Sequence, residues 1–443
     1  MIAMATPRGA TYSAGSGVTI YGGMVRPLGS LVPSGSIMSI ALNTRDSVDP
    51  KNDALANPNY PGTPPWDVIG GTAWSHTPDY SGAVFAADLG SAGTYLQYCA
   101  SGHSANGATM WLGFDVASQT WQRVGRRPLP CNNLYGYVSG TTPASSQFNH
   151  TWGDWIGGST DWAVDFRQSG YNPPAGGHTR AAMTYRPASQ AGNSTGQIVM
   201  GLACTGVNTG TTAIPGHYYN CDDELFHRTA NQRLSGGSSA GNNVYDPTTD
   251  TVYGWTFVSS SYASSVDMLD CATWTHTRKS GLTNSPYMQV DGSQAFGCGD
   301  LLVVCEQATG SASFSLKAIR MSDLKDGSAT AWTDLTLSGT TWPSKSGETV
   351  SIVWTLCPTN GVYYAVDRVT GSHTLYKLTP PGGGDAGNLS GTWTLSSETL
   401  TGDGLVATTW HYNRLQWCPA LNSFLFTGES MAADTQAIRP IGI

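Results

Sequence analysis

A short strand-like motif headed by an aromatic residue returns about every sixty residues along this 443-residue chain. It limits the fold more than any other feature. The motif is read at Trp66–Ile69, Trp121–Val124, Trp274–Thr277, Trp332–Leu335 and Trp393–Ser396. The interval between Trp121 and Trp274 has room for one more unit, and Phe226–Thr229 heads it. A chain that repeats one supersecondary unit at this period buries the faces of neighbouring units against each other. Between the motifs the chain is rich in aromatic residues and turn formers, with Trp 15, Tyr 20 and Gly 54. Strands favour the aromatic and β-branched residues, and tight turns favour Gly, Asn and Asp. The expected fold is all-β: a six-bladed β-propeller built of four-stranded blades.

A second landmark has the same period. An apolar run ends in a Pro- or Asp-bearing turn and a second apolar run follows. The pairs are Ala181–Pro187 with Gln197–Gly201, Asn243–Pro247 with Thr251–Trp255, Ser351–Pro358 with Val362–Val366, and Arg414–Pro419 with Ser423–Gly428. This is hairpin chemistry, and it predicts the first two strands of each blade. Third strands are expected at Ala108–Asp115, Val266–Asp270, Thr374–Leu378 and Gln436–Ile441. A Gly-rich loop, 382–387, precedes Trp393.

The stretch from Ala108 to Trp121, in which an aromatic–Asp turn leads into a Thr–Trp strand, resembles a kelch repeat of the galactose-oxidase central-domain type. Val266–Trp274 is its analogue, and the resemblance extends over about residues 66–443. It implies a closed ring. The last unit has three strands and no Trp strand, and Trp66–Ile69 has no blade before it. Residues 66–69 are therefore expected to supply the outer strand of the last blade, which removes two exposed edges. The chain divides into an N-terminal arm or linker, 1–65, and a propeller, 66–443, with an insertion at about 125–177.

Formal net charge is −8, charged residues make up 12%, and no Lys/Arg cluster is dense enough to track phosphates, so no nucleic-acid partner is expected. Arg123, Arg126 and Arg127 read as a solvated loop. No stretch has the roughly 18 apolar residues of a membrane helix, and the N-terminus has no signal-like apolar run. The chain reads as made in the host cytoplasm. Nine Cys without C-x-x-C spacing read as buried thiols, among them Cys99, Cys204, Cys305, Cys357 and Cys418.

The insertion carries Trp152, Asp154, Trp155, Asp161 and Trp162. Aromatic faces beside carboxylates suit a glycan, since the rings stack and the hydroxyls donate. The same Trp also suit caps on blade edges. His76, His178 and His411 recur at the starts of inner strands, either as bonds between blades or as a metal cluster at the channel mouth. The segments Asp49–Asp53 and Cys221–Glu224 match no EF-hand pattern. The copper-ligand set of galactose oxidase does not map onto the chain, and sialidase-type turns are missing. No catalytic residue, metal or cofactor is assigned.

Three functional readings follow. The first is a structural or receptor-binding component of a bacteriophage virion, similar in style to phage tail proteins. It would form a homo-oligomer, contact other virion proteins through residues 1–65, and meet host surface glycan. The second is a bacterial carbohydrate-binding or carbohydrate-processing propeller that uses the Trp-rich insertion. The third is a kelch-type protein-interaction module.

Overall fold

A computed structural model describes residues 10–12, 18–21, 24–48, 82–98, 109–129, 183–200, 215–232, 243–254, 261–262, 264–288, 294–307, 314–339, 354–366, 369–406 and 413–443. Three short strands come first: β1 (Ala10–Tyr12), β2 (Val18–Tyr21) and β3 (Met24–Pro27). Among the described residues they pair only with one another. Strand β4 (Ser36–Ser39) follows.

Most of the remaining strands form antiparallel four-stranded units in chain order, the fourth and fifth of which are joined into one eight-stranded sheet by a parallel pair. The first holds β5 (Ala83–Ala86), β6 (Thr94–Tyr98), β7 (Thr109–Asp115) and β8 (Thr120–Leu129). The second holds β9 (Thr184–Arg186), β10 (Gln197–Val199), β11 (Pro215–Asn220) and β12 (Leu225–Gln232). In the third, β13 (Asn243–Asp246) and β14 (Thr251–Gly254) are joined by β16 (Ser265–Asp270) and β17 (Thr275–Ser280). Strands β15 (Ser261–Tyr262) and β18 (Tyr287–Met288) form a separate small ladder. The fourth sheet holds β19 (Gln294–Cys298), β20 (Leu301–Gln307), β21 (Phe314–Arg320) and β22 (Thr333–Gly339). The fifth holds β23 (Thr355–Cys357), β24 (Val362–Val366), β25 (Thr374–Thr379) and β26 (Thr392–Thr399). After β27 (Thr401–Gly402), the last sheet holds β28 (Gln416–Cys418), β29 (Ser423–Thr427) and β30 (Thr435–Arg439).

The first-and-second-strand hairpins fall where the Pro/Asp turns predicted them. Their chemistry is local. Asp246 accepts from the Thr248 amide at 2.9 Å and the Thr249 hydroxyl at 2.6 Å, and Asp250 then takes the left-handed conformation, φ 49°. The third strands also match. The segment before Trp393 differs, because Gly384–Ser390 is a short helix rather than a loop. The Trp393 indole donates to the Asn388 carbonyl at that helix's end, 2.9 Å, so packing against the buried ring holds the turn together.

The closing strand is a correction. The edge of β30 is taken by β4, in antiparallel register with Ile438 opposite Ile37. Residues 66–69 were expected there, and they lie outside the described residues. The physical reason lies in the earlier segment. Leu28, Leu31, Val32 and Ile40 are buried in the gap between the last and first sheets, and Ile37 is buried on the side of the fifth sheet, so the segment brings a dense apolar surface to the closure. Trp66–Ile69 is flanked by Pro64, Pro65, Gly70 and Gly71, which interrupt such a run.

Each sheet buries its faces against its neighbours. Trp111 and Val84 pack on Ile198 and Tyr219 between the first and second sheets. Val199 meets Val252 and Leu269 between the second and third. Tyr253 and Val266 meet Leu302 and Ile319, then Phe296 and Val303 meet Tyr363 and Leu378. Tyr364 and Val366 meet Phe424 and Ile438. Finally Leu425 and Ala437 meet Tyr95 and Phe114, which joins the last sheet to the first. This arrangement is a β-propeller. Cys305, Cys357 and Cys418 are buried free thiols within it, and Cys99 and Cys204 lie outside the described residues.

Candidate functional site at the channel mouth

The inner strands line the axis. Strand β5 lies against β9 and β28, β13 against β9 and β19, and β23 against β28. Because the sheets are antiparallel and successive, the inner strands all start at one end of the channel. A cavity of about 220 Å³ sits near that end. It is lined by residues of every inner strand or its entry: Val84, Thr184 and Tyr185, Asn243, Phe296, Thr355 and Leu356, and Asn413 with Gln416. Trp354 and Tyr363 complete the apolar side of the lining.

Asn413 holds a left-handed backbone, φ 60°. Its Nδ2 donates to the Ala83 carbonyl at 3.2 Å and lies 3.5 Å from the Met183 carbonyl, so one amide reaches from the last sheet to the first and second. Gln416 Nε2 donates to the Asn413 carbonyl at 2.8 Å and to Asn413 Oδ1 at 2.9 Å. The Thr355 hydroxyl donates to the Leu415 carbonyl at 2.6 Å. On the apolar side, Phe296, Trp354 and Tyr363 are buried, and the rings of Phe296 and Tyr363 lie 4.4 Å apart. Burial raises the Tyr363 phenol above its ordinary range. Burial and the hydrogen bond to Asp88 do the same to Tyr185. Both phenols stay protonated and neutral. The described lining contains no Asp, Glu, His, Lys or Arg.

Trp152, Asp154, Trp155, Asp161 and Trp162 lie outside the described residues, as do His76, His178, His411 and Asp49–Asp53. The strands that flank the Trp-rich segment are described: β8 ends and β9 begins at the end of the channel that carries the cavity. Cys221–Glu224 forms a turn in which Asp222 and Asp223 are already engaged. Asp222 accepts from the Thr195 hydroxyl and the Ser194 amide, which lowers its carboxyl pKa, and Asp223 pairs with His227 at 2.8 Å. Burial pushes the Cys221 thiol up to about 12. No group of three His, Cys, Asp or Glu arranged for a metal occurs among the described residues. Sequence reasoning placed inner-strand starts at the channel mouth and picked out histidines there. It missed Asn413, Gln416 and Thr184. The available signal was their position, at or just before the first strand of a repeat.

A second polar constellation joins the second and third sheets. Arg186 binds Asp250 through both Nε and Nη2 and lies 5.6 Å from the Trp274 ring centroid. Trp274 stacks on Tyr218 at 4.1 Å, and Tyr218 stacks on His227 at 5.0 Å. The stacked rings join the second and third sheets, so the ladder cements an interface.

No protein-family model matches the chain, and no curated protein matches it. Solved structures with partial likeness include a protein of unknown function from Bacteroides thetaiotaomicron. That match has a TM-score of 0.43 at 10% identity and covers 90% of this chain and 74% of that one. An alpha-L-arabinanase from Penicillium chrysogenum, complexed with arabinobiose, matches with a TM-score of 0.39 at 11% identity, over 82% of this chain and 92% of the other. An auxiliary nutrient binding protein from Bacteroides ovatus matches with a TM-score of 0.38 at 10% identity, over 77% and 65%. The strand pairing and sheet interfaces carry the architecture, not these likenesses.

Proposed function

We propose that this protein is a recognition component of a larger assembly: a six-bladed, kelch-like propeller that presents one face to its target and is anchored by its N-terminal segment. The blade count is supported by direct packing of the first sheet on the second. The observation that carries the functional reading is an asymmetry of connections. At the end where inner strands start, the chain runs from Leu129 to Thr184, from Gly339 to Thr355 and from Gly402 to Gln416. At the other end, tight turns such as Thr248–Asp250 and Thr359–Gly361 join the hairpins. Long connections on one face of a rigid scaffold are where binding residues concentrate.

The self-paired meander β1–β2–β3 supports attachment through residues 1–65, as in a phage tail or appendage protein that sits in a virion. The test is the molar mass of the full chain and of a form lacking residues 1–27, by light scattering. A defined oligomer that falls to monomer on truncation is the expected result. A monomeric full chain removes the assembly reading.

The carbohydrate reading has its own support. The segment bearing Trp152, Asp154, Trp155, Asp161 and Trp162 connects two strands that open onto the same face. Under it, Trp152→Ala and Trp155→Ala abolish binding to host polysaccharide without lowering thermal stability. Lower stability with intact binding would make those residues core.

A further inference from the structure

We infer that the channel-mouth cavity is a seat for one ring of a neutral, polyhydroxylated ligand, a single monosaccharide residue in size and chemistry. The inference deepens the recognition-face reading and rests on it for its place on that face.

Size gives the first argument. The cavity holds about 220 Å³, below the roughly 300 Å³ at which pockets for drug-sized ligands begin. It has room for one ring.

Charge gives the second. No described lining side chain is ionised. A carboxylate, phosphate or ammonium placed there would be desolvated with no counter-charge, which costs several kcal/mol in a site of this kind, about 2–7 even for an uncompensated neutral group. The described lining therefore offers an ion no counter-charge.

Hydrogen-bond polarity gives the third. Gln416 Nε2 is spent on the two oxygens of Asn413, which fixes the orientation of the amide. Its Oε1 is then the atom it offers to the cavity, and that atom can only accept. The Thr355 hydroxyl spends its proton on the Leu415 carbonyl, so it too is left as an acceptor. The Thr184 backbone pairs with Val199, while its hydroxyl makes no hydrogen bond among the described residues and can both donate and accept. Acceptors at Gln416 and Thr355 beside the Thr184 hydroxyl call for a ligand rich in hydroxyls. In the same lining, Phe296, Trp354 and the 38%-exposed Leu356 give apolar surface that suits the C–H face of a sugar ring. Asn413 is locked by the Ala83 carbonyl, so the polar rim is formed before any ligand arrives and little ordering cost falls on binding.

The experiment uses the full chain and a panel of methyl glycosides of galactose, glucose, mannose and arabinose, with glucuronate and glucosamine as charged controls. Saturation-transfer NMR and calorimetry read binding. At least one neutral glycoside is expected to bind, and both charged sugars are expected to fail. Gln416→Leu and Thr184→Val should each weaken binding about tenfold, the loss of one hydrogen bond in a preformed site. Thr184→Val keeps shape and strand propensity, so it remains informative if Gln416→Leu loosens Asn413 and fails to fold. Binding of no neutral glycoside, equal binding of glucuronate, or unchanged affinity in Thr184→Val overturns the inference. Polysaccharide binding that survives both variants but is lost in Trp152→Ala would overturn the cavity as the seat and leave the recognition face standing.

Discussion

At the scale of one residue, Trp121 ties three parts of the molecule together. It lies opposite Phe114 in the first sheet and makes an edge contact with Tyr95 at 6.1 Å. Its indole donates to the Thr435 hydroxyl of the last sheet at 2.8 Å. Its backbone is bracketed by Asn43, which accepts from its amide at 2.6 Å and donates to its carbonyl at 3.0 Å. The buried Arg45 guanidinium sits 5.6 Å from its ring. Trp121→Ala should destabilise the fold by about 3–5 kcal/mol, the usual cost of emptying a buried aromatic site. Trp121→Phe keeps most of the volume and loses the bond to Thr435, so about 1–2 kcal/mol is expected. Chemical denaturation followed by fluorescence measures both. Equal losses for the two variants would show that the Thr435 bond, not the ring, dominates. The heading aromatic was legible for Trp121 and Phe226, which occupy the same ladder position. Trp274 was not in register with them. It sits two places earlier, in the turn, with φ 55°, and His276 takes the ladder position opposite Leu269. A period of about sixty residues locates a unit, but a two-residue shift inside a turn leaves that period almost unchanged. Arg45 was equally hidden. Its acceptors are Gln97 and the carbonyls of Gly428 and Ser430, far away along the chain, so nothing local marks it as buried.

At the scale of elements, the outer rim is tied in a way the repeat did not announce. Strand β26 pairs in parallel with β22, and β27 pairs in parallel with β4. The closing strand is therefore held on both edges, by β30 and by β27, with the Ser39 amide donating to Asp403 at 2.7 Å and the Asp403 amide to the Ile37 carbonyl at 2.9 Å. This clasp depends on Gly402. Its φ is 89°, and a Cβ there would overlap the Ile37 carbonyl oxygen. Gly402→Val should cost about 1–3 kcal/mol through backbone strain alone and release β4 from one side. Hydrogen exchange is the direct readout: amides of residues 36–39 should exchange faster while those of β24 keep their protection. Unchanged exchange at β4 would mean that pairing with β30 suffices. Parallel pairs of this kind leave no mark in the sequence. They follow from where two outer strands happen to converge, and the only local trace is a glycine whose backbone no other residue adopts easily.

At the scale of the whole molecule, the sequence carried the strand order and left the closure to packing. Hairpins were legible because Pro and Asp turns act locally. The choice of Ser36–Ser39 over residues 66–69 was not, because it depends on how much apolar surface each segment delivers to a gap that exists only once the sheets are assembled. The cavity is of the same kind. Thr184, Phe296, Thr355 and Gln416 come from four different repeats, and only the ring brings them to one place. This ordering makes a truncation series decisive. A form lacking residues 1–27 keeps Leu28, Leu31, Ile37, Ile40 and Arg45, so its thermal midpoint should match the full chain within a few degrees. A form lacking residues 1–48 loses all of these and exposes the paired edge of β30 together with the apolar faces of the last and first sheets. Exposed edges and apolar surface of that extent drive association, so this form should lose its cooperative transition and aggregate. A peptide spanning residues 28–48, added in trans, should restore the transition by strand addition. If the form lacking 1–48 instead melts cooperatively at the full-length midpoint, β4 is not what closes the ring. If it fails and the peptide does not rescue it, closure requires the covalent tether, whose entropy cost for a long loop grows only slowly with length.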